Sequence, residues 1–152
     1  MTNITPQEEL ILPLYLIHLS KDSLRGRTRL QKLIFLSQKA LKDKVNYNFD
    51  KAPFGPLSYH LNSIMEDLIG MGLVLQDRDF TPSGNEVVIY NLTDKGKEFL
   101  DFSLQRNIIS KSDTTSVDQV YDEYGDMPYV DLLDRVHRDY PEYVEQSDDF
   151  GF

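Results

Sequence analysis

Cysteine is missing from the 152 residues, so neither a disulfide framework nor a thiolate metal site can form. Histidine is sparse. His18, His60 and His137 fall on three different predicted helices, without the spacing that metal ligation needs. GxSxG, P-loop, HExxH and GxGxxG patterns are all absent. The chain therefore reads as non-enzymatic, with no cofactor and no metal. Long apolar runs are missing too. The first apolar stretch follows Glu8 and Glu9 and is broken by Pro13, which fits neither a signal peptide nor a membrane span. A cytoplasmic protein without a membrane partner is the expectation. No internal repeat, heptad array or low-complexity tract occurs. One absence is local: between Lys51 and Arg78 there is no Lys or Arg at all.

What is present supports a real core. Apolar residues make up 40% of the chain, enough for one domain, or one domain with an appendage. Residues 26–93 carry the organising pattern. Gly26 allows a turn, and Thr28 with Gln31 three residues later forms a capping box. Leu30, Leu33, Ile34, Ser37 and Leu41 then share one helical face, widened by Phe35 and Leu36, with Arg29, Lys32 and Lys39 on the other side. A second helix opens at Gly55-Pro56, where proline at the first helical position loses no hydrogen bond. Its buried stripe is Leu57, Leu61, Ile64, Met65 and Leu68, and Gly70 and Gly72 end it. Leu73–Leu75 and Val87–Tyr90 read as strands around the turn residues Pro82, Ser83, Gly84 and Asn85. Helix, long loop, helix and hairpin make the centre of a winged helix.

The flanks complete the plan. Thr5-Pro6-Gln7-Glu8 is a capping box for a first helix with Leu10, Leu14 and Ile17 on its apolar face, and Pro13 predicts a kink or a later start. Residues 42–55 form a long connection in which Tyr47 and Phe49 make a short strand or plug the core; disorder is the other reading. Thr93 caps a fourth helix anchored by Phe99, Leu100 and Phe102. Beyond it, 107–115 reads as a linker. Ser116 to Gln119 is a capping box for a helix with Val117, Val120, Tyr121 and Tyr124 on its apolar side and Gly125 at its end. A last helix from Pro128 carries Val130, Leu133, Val136 and Tyr140, with Pro141 as its stop, and Glu142–Phe152 is expected to fray. The fold class is thus α+β, mostly α: a winged helix-turn-helix with a long loop before the second motif helix, a β-hairpin wing and a C-terminal two-helix appendage. Its parts are a winged-helix domain at 1–106, the linker, and an acidic helical appendage at 116–152, packed on or beside that domain.

Net charge is −9, unevenly spread. Lys21–Lys44 holds eight basic residues against two acids, whereas Asp113 to the end holds twelve acids against Arg135 and Arg138. Winged helices commonly read DNA, and phosphate neutralisation by Lys and Arg supplies most of that affinity. Here the helix that would enter the groove is 56–71. It offers Ser58, Tyr59, Asn62, Ser63, Glu66 and Asp67. Asn62 has the chemistry to read adenine, but Glu66 repels phosphate. The wing loop holds one Arg against Asp77, Asp79 and Glu86. Nucleic acid could then engage only Arg25, Arg27, Arg29, Lys32 and Lys39, for which a solvated helix face is the plainer reading. Exposed Tyr59, with Asn62, Glu66, Tyr121 and Tyr124, instead suits a protein partner, since tyrosine gives large contact area at low entropic cost. The alternative is that several of these tyrosines pack the appendage onto the core.

GRTRLQKLIFL, then FGPLSYHLNSIMEDLIGMGLV, then YNLTDKG, resembles YwgA-like winged-helix proteins, which are distantly similar to the Panacea (SocA-like) antitoxin domain. The resemblance covers roughly residues 10–140. Its most specific part is Leu30-Gln31-Lys32-Leu33 paired with Gly55-Pro56. Gln31, Lys32, Gly55 and Pro56 match the motif by position, without a catalytic role to transfer. The resemblance implies a non-enzymatic module that neutralises a toxin by binding it, or presents it for degradation, often in phage-defence loci. The expected function is therefore a regulatory protein-binding winged helix, antitoxin-like or defence-associated. A DNA-binding transcriptional regulator is the alternative. Homodimerisation through the C-terminal helices is a separate expectation.

Overall fold

A computed structural model of the chain describes residues 7–145. Its elements run α1 (Gln7–Leu19), β1 (Ser23–Arg25), α2 (Arg27–Ala40), α3 (Tyr59–Gly70), β2 (Val74–Phe80), β3 (Glu86–Leu92), α4 (Asp94–Gln105), α5 (Lys111–Tyr124) and α6 (Tyr129–Asp139), followed by a 3-10 turn at Pro141–Tyr143. Helix, strand, helix, helix, hairpin is the winged-helix order. β3 lies centrally in an antiparallel sheet of order β1-β3-β2, with Leu24 opposite Tyr90 and Gln76 opposite Tyr90 on the other side. The β-hairpin wing and the C-terminal helix pair stand as the sequence implies. The short strand β1 is additional: three residues carry too little alternation to signal a strand.

Pro13 sits inside α1 without ending it. Proline removes the hydrogen bond that the carbonyl four residues earlier would accept. That carbonyl belongs to Glu9, and the hydroxyl of fully buried Tyr47 donates to it at 3.0 Å. The connection 42–55 therefore plugs the core. Val45 is buried beside Tyr47, and Phe49 meets Phe35 edge-on at 5.1 Å. Asp50 pairs with Leu57 as an isolated antiparallel bridge.

Two apolar clusters result. The larger joins α1, α2, α3, the sheet, α4 and the start of α5. The smaller is built on Phe35 and Leu36 of α2, Val120 of α5, and Leu132 and Val136 of α6. Phe35 is also met edge-on by Tyr140 at 5.0 Å and Tyr143 at 4.8 Å. The appendage thus closes on α2.

Several local expectations need correction. The Thr28–Gln31 capping box does not form: Gly26 caps α2 without a side-chain bond, and Gln31 is used elsewhere. α3 starts at Tyr59 behind Ser58, whose hydroxyl accepts from the Leu61 amide at 3.0 Å, so Pro56 precedes the helix. On α4, capped by Thr93 as expected, Leu100 is buried but Phe99 and Phe102 are exposed. The inward face runs through Gly96, Leu100 and Ser103 instead. α5 begins at Lys111 behind Ser110, five residues ahead of the expected capping box, which shortens the linker. On α6 the buried face is Leu132 and Val136, while Val130 is exposed. Residues 141–145 do not fray: Ala52 and Val144 form a parallel bridge, with Ala52 N–H donating to Tyr143 and Glu145 N–H to Ala52. Thr5, Pro6 and the tail after residue 145 lie outside the described residues.

Candidate functional site

The four motif residues meet at the joint between α2 and the entry to α3. The Gln31 amide nitrogen donates to the Ser58 carbonyl and to Asn62 Oδ1, both at 3.0 Å. Its oxygen accepts from the Ser58 amide at 2.9 Å. One buried carboxamide thus serves both backbone groups of the α3 cap. Beside it, Lys32 is 2% exposed and donates to the Pro56 carbonyl at 3.1 Å. Desolvation pushes its ammonium down from 10.5 to about 8. Gly55 has φ 101°, and a Cβ there would meet Lys32 Cε at 3.2 Å and the His137 ring at 3.6 Å. The positive φ calls for glycine, and a Cβ would also ask Lys32 to give a few tenths of an ångström. The motif is a structural latch.

The latch changes the electrostatics of α2. Lys32 is withdrawn from solvent. Arg29 is half-buried and donates to the Gly125 and Met127 carbonyls at 3.2 and 2.8 Å, closing the end of α5. Burial pushes its guanidinium below the usual arginine range. Lys39 lies over the Phe35 and Tyr143 rings at 5.5 and 5.4 Å. Arg25 pairs with Asp79 of the wing at 2.7 Å. Of the five candidate cations only Arg27 is exposed with no carboxylate in ion-pair reach among the described residues, its Nε donating weakly to the Tyr90 hydroxyl at 3.4 Å. Lys21 and Lys42, at the two ends of the stretch, are likewise exposed and without an ion pair among the described residues. The basic stretch is therefore not a basic face.

The outer side of α3 has the opposite character. Tyr59 is 68% exposed. Ser63, Glu66 and Asp67 are exposed, and among the described residues neither acid has an ion-pair partner. Asn62 is half-buried with its Oδ1 taken by Gln31. On the wing, Arg78 is neutralised by Glu86 at 3.1 Å, and Phe80 stands exposed. Tyr121 and Tyr124 lie apart from this surface. Both are half-buried against the core, and Arg135 lies over the Tyr124 ring at 5.6 Å. They are packing residues, so the five partner candidates do not form one patch.

Two clefts flank Arg27. One of about 350 Å³ lies between α3 and the sheet and brings Arg27 together with Asn62, Glu66, Gln76 and Tyr90. The other, about 620 Å³, opens between the start of α2 and the wing and includes Arg25, Arg27, Arg29, Asn85 and Tyr129. Sequence reasoning missed Gln76 and Tyr129 as lining residues. The strand register carried a signal for Gln76, two residues from buried Val74 and so on the same face. Nothing local announced Tyr129. Among the described residues no cluster of His, Asp and Glu could hold a metal, and no helix is long and apolar enough to cross a membrane.

No family model and no curated protein matches the chain. Among solved structures, a candidate transcriptional regulator from Thermoplasma acidophilum is similar over 74% of this chain and 95% of its own, at 19% identity and a TM-score of 0.48. So slight a likeness carries no function across.

Proposed function

We propose that the chain is a regulatory winged-helix module that works by binding a protein through the outer face of α3. The observation that carries this is the charge that remains once internal pairs are formed. Glu66 and Asp67 on α3 have no ion-pair partner among the described residues, and α3 itself carries no Lys or Arg. Arg25 and Arg78 at the wing are paired and Lys32 is buried, which leaves Arg27 as the one unpaired cation lining the cleft beside α3. A polyanion meets repulsion there; a polypeptide with basic and apolar side chains meets Tyr59, Ser63 and Glu66. Resemblance to the YwgA-like and Panacea groups supports an antitoxin-like or phage-defence role for such binding. Homodimerisation finds less support, because α5 and α6 turn their apolar faces onto α2 and α1.

DNA binding is kept as a second reading by one observation: Arg27 lies in a cleft with Asn62 and Gln76, the pairing of phosphate anchor and base reader that a regulator would use. A photo-crosslinking amino acid at position 59, activated in cells, separates the two. Adducts to one polypeptide species are expected. Adducts to nucleic acid, or nanomolar binding of random duplex at about 0.15 M salt that Arg27→Glu abolishes, would replace the first reading with the second.

A further inference from the structure

The larger cleft has a composition that protein binding at α3 leaves unexplained. Arg25, Arg27 and Arg29 line it at alternate positions of the short turn from β1 into α2, and its volume of about 620 Å³ is in the range of small-molecule sites. Its one lining carboxylate is accounted for, Glu86 being held by Arg78 at 3.1 Å, and Arg25 is paired with Asp79 of the wing at 2.7 Å. Asp126 acts on Arg29 electrostatically but makes no ion pair with it. Arg27 and Arg29 therefore bring positive charge into the cleft without a paired carboxylate. Arg29 is fixed by its two carbonyl contacts, so part of the ordering that binding requires is already done. α2 begins at the edge of the cleft without a side-chain cap and with no acid in its first turn, so its first backbone N–H groups lack side-chain acceptors.

One wall is aromatic. Tyr129, the first residue of α6, lines the cleft and is 44% exposed, close enough to Arg29 to influence its charge. Thr81, Ser83 and Asn85 of the wing turn add hydroxyl and amide groups opposite. Forked guanidiniums suit phosphate oxygens, and a partly exposed tyrosine suits stacking on a planar ring. The geometry points to a nucleotide site: phosphates on Arg27, Arg29 and the start of α2, the base against Tyr129, the wing turn on its polar edge. The site shares Arg27 with the cleft beside α3 but includes no residue of α3 itself, so a protein partner on Tyr59 and a nucleotide could occupy the chain together. Nucleotide occupancy would bridge the wing, α2 and α6.

Isothermal titration of the full chain with ATP, AMP, adenosine and pyrophosphate tests this, alongside a random duplex. ATP is expected to bind more tightly than AMP, and adenosine to be undetectable. Arg27→Ala should weaken ATP about tenfold or more, as loss of a charge-assisted phosphate contact does. Tyr129→Ala should weaken ATP by about tenfold while leaving pyrophosphate unchanged. Both residues are exposed, and a matching thermal unfolding curve confirms that each variant folds. Tyr59→Ala should leave ATP affinity unaltered, which keeps failure here distinct from failure of the proposed protein contact. No heat with ATP at millimolar concentration overturns the site. So does equal affinity for ATP and pyrophosphate that ignores Tyr129→Ala. Arg27-dependent binding of duplex without binding of mononucleotide also overturns it and transfers the cleft to the DNA reading.

Discussion

α2 and α3 lie against each other, yet they manage their polar residues in opposite ways. On α2 almost every charged or amide side chain is spent within the molecule: Gln31 on the α3 cap, Lys32 on the Pro56 carbonyl, Arg29 on the end of α5, Lys39 on two aromatic rings. On α3 the outward polar residues Ser63, Glu66 and Asp67 hold up nothing. The difference shows that net charge in a sequence segment is not charge available to a ligand. Of the stretch's eight cations, five are engaged within the molecule, and Lys21, Arg27 and Lys42 remain exposed without an ion pair among the described residues.

The sharpest way to break the contrast is at Gln31. Gln31→Ala strips the buried Ser58 amide of its acceptor, while the Ser58 carbonyl keeps the Asn62 N–H at 3.3 Å, and should cost about 2 kcal/mol in urea unfolding, an orphaned buried group costing about 1–3 kcal/mol. A cost below about 0.5 kcal/mol would mean that water replaces the amide and the latch is incidental. Next, Arg29→Ala uncaps α5 and should cost about 2 kcal/mol, with faster amide exchange in residues 121–127 as the local signature.

Lys32→Met probes the same element with the opposite sign. Its ammonium releases a proton near pH 8 in the folded chain and near the ordinary 10.5 when unfolded. The unfolded chain therefore holds more protons between those values, and the native state gains stability as pH rises through that window. Replacement by Met should stabilise by about 1–2 kcal/mol at pH 7, after the lost bond to Pro56 is deducted, and the gain should shrink as pH approaches 10. A pH-independent destabilisation would show that the ammonium is held favourably. Smallest in effect are Tyr59→Ala and Glu66→Gln on α3. Each should change stability by no more than about 0.5 kcal/mol, while reducing crosslinking or affinity for the protein partner.

The contrast also explains what could be read in advance. α2, α3 and the hairpin were legible because buried apolar residues keep a helical or alternating period, and Leu61, Ile64, Met65 and Leu68 all face inward as their spacing implies. The Thr93 cap was legible because its bond is local. Lys32 was not. A helical wheel places a lysine outside unless something distant covers it, and here the cover comes from Gly55-Pro56 and His137, more than twenty residues away at the nearest. Phe99, Phe102 and Val130 failed for the mirror reason: apolar character says what would gain from burial, not whether a neighbour arrives. The arginine cleft was half legible. Its cations were visible as a run, but Tyr129 joins them only because α6 folds back beside α2.

The bridge between Ala52 and Val144 has a consequence for biosynthesis. The connection leading into α3 is finished by residues more than ninety positions downstream, so it cannot be completed while the ribosome still shields residue 145. A nascent chain stalled near position 130 would carry the hairpin and α3 but lack the Tyr140 and Tyr143 rings on Phe35. During that interval the most aromatic seam of the molecule is open to chaperones and to neighbouring nascent chains.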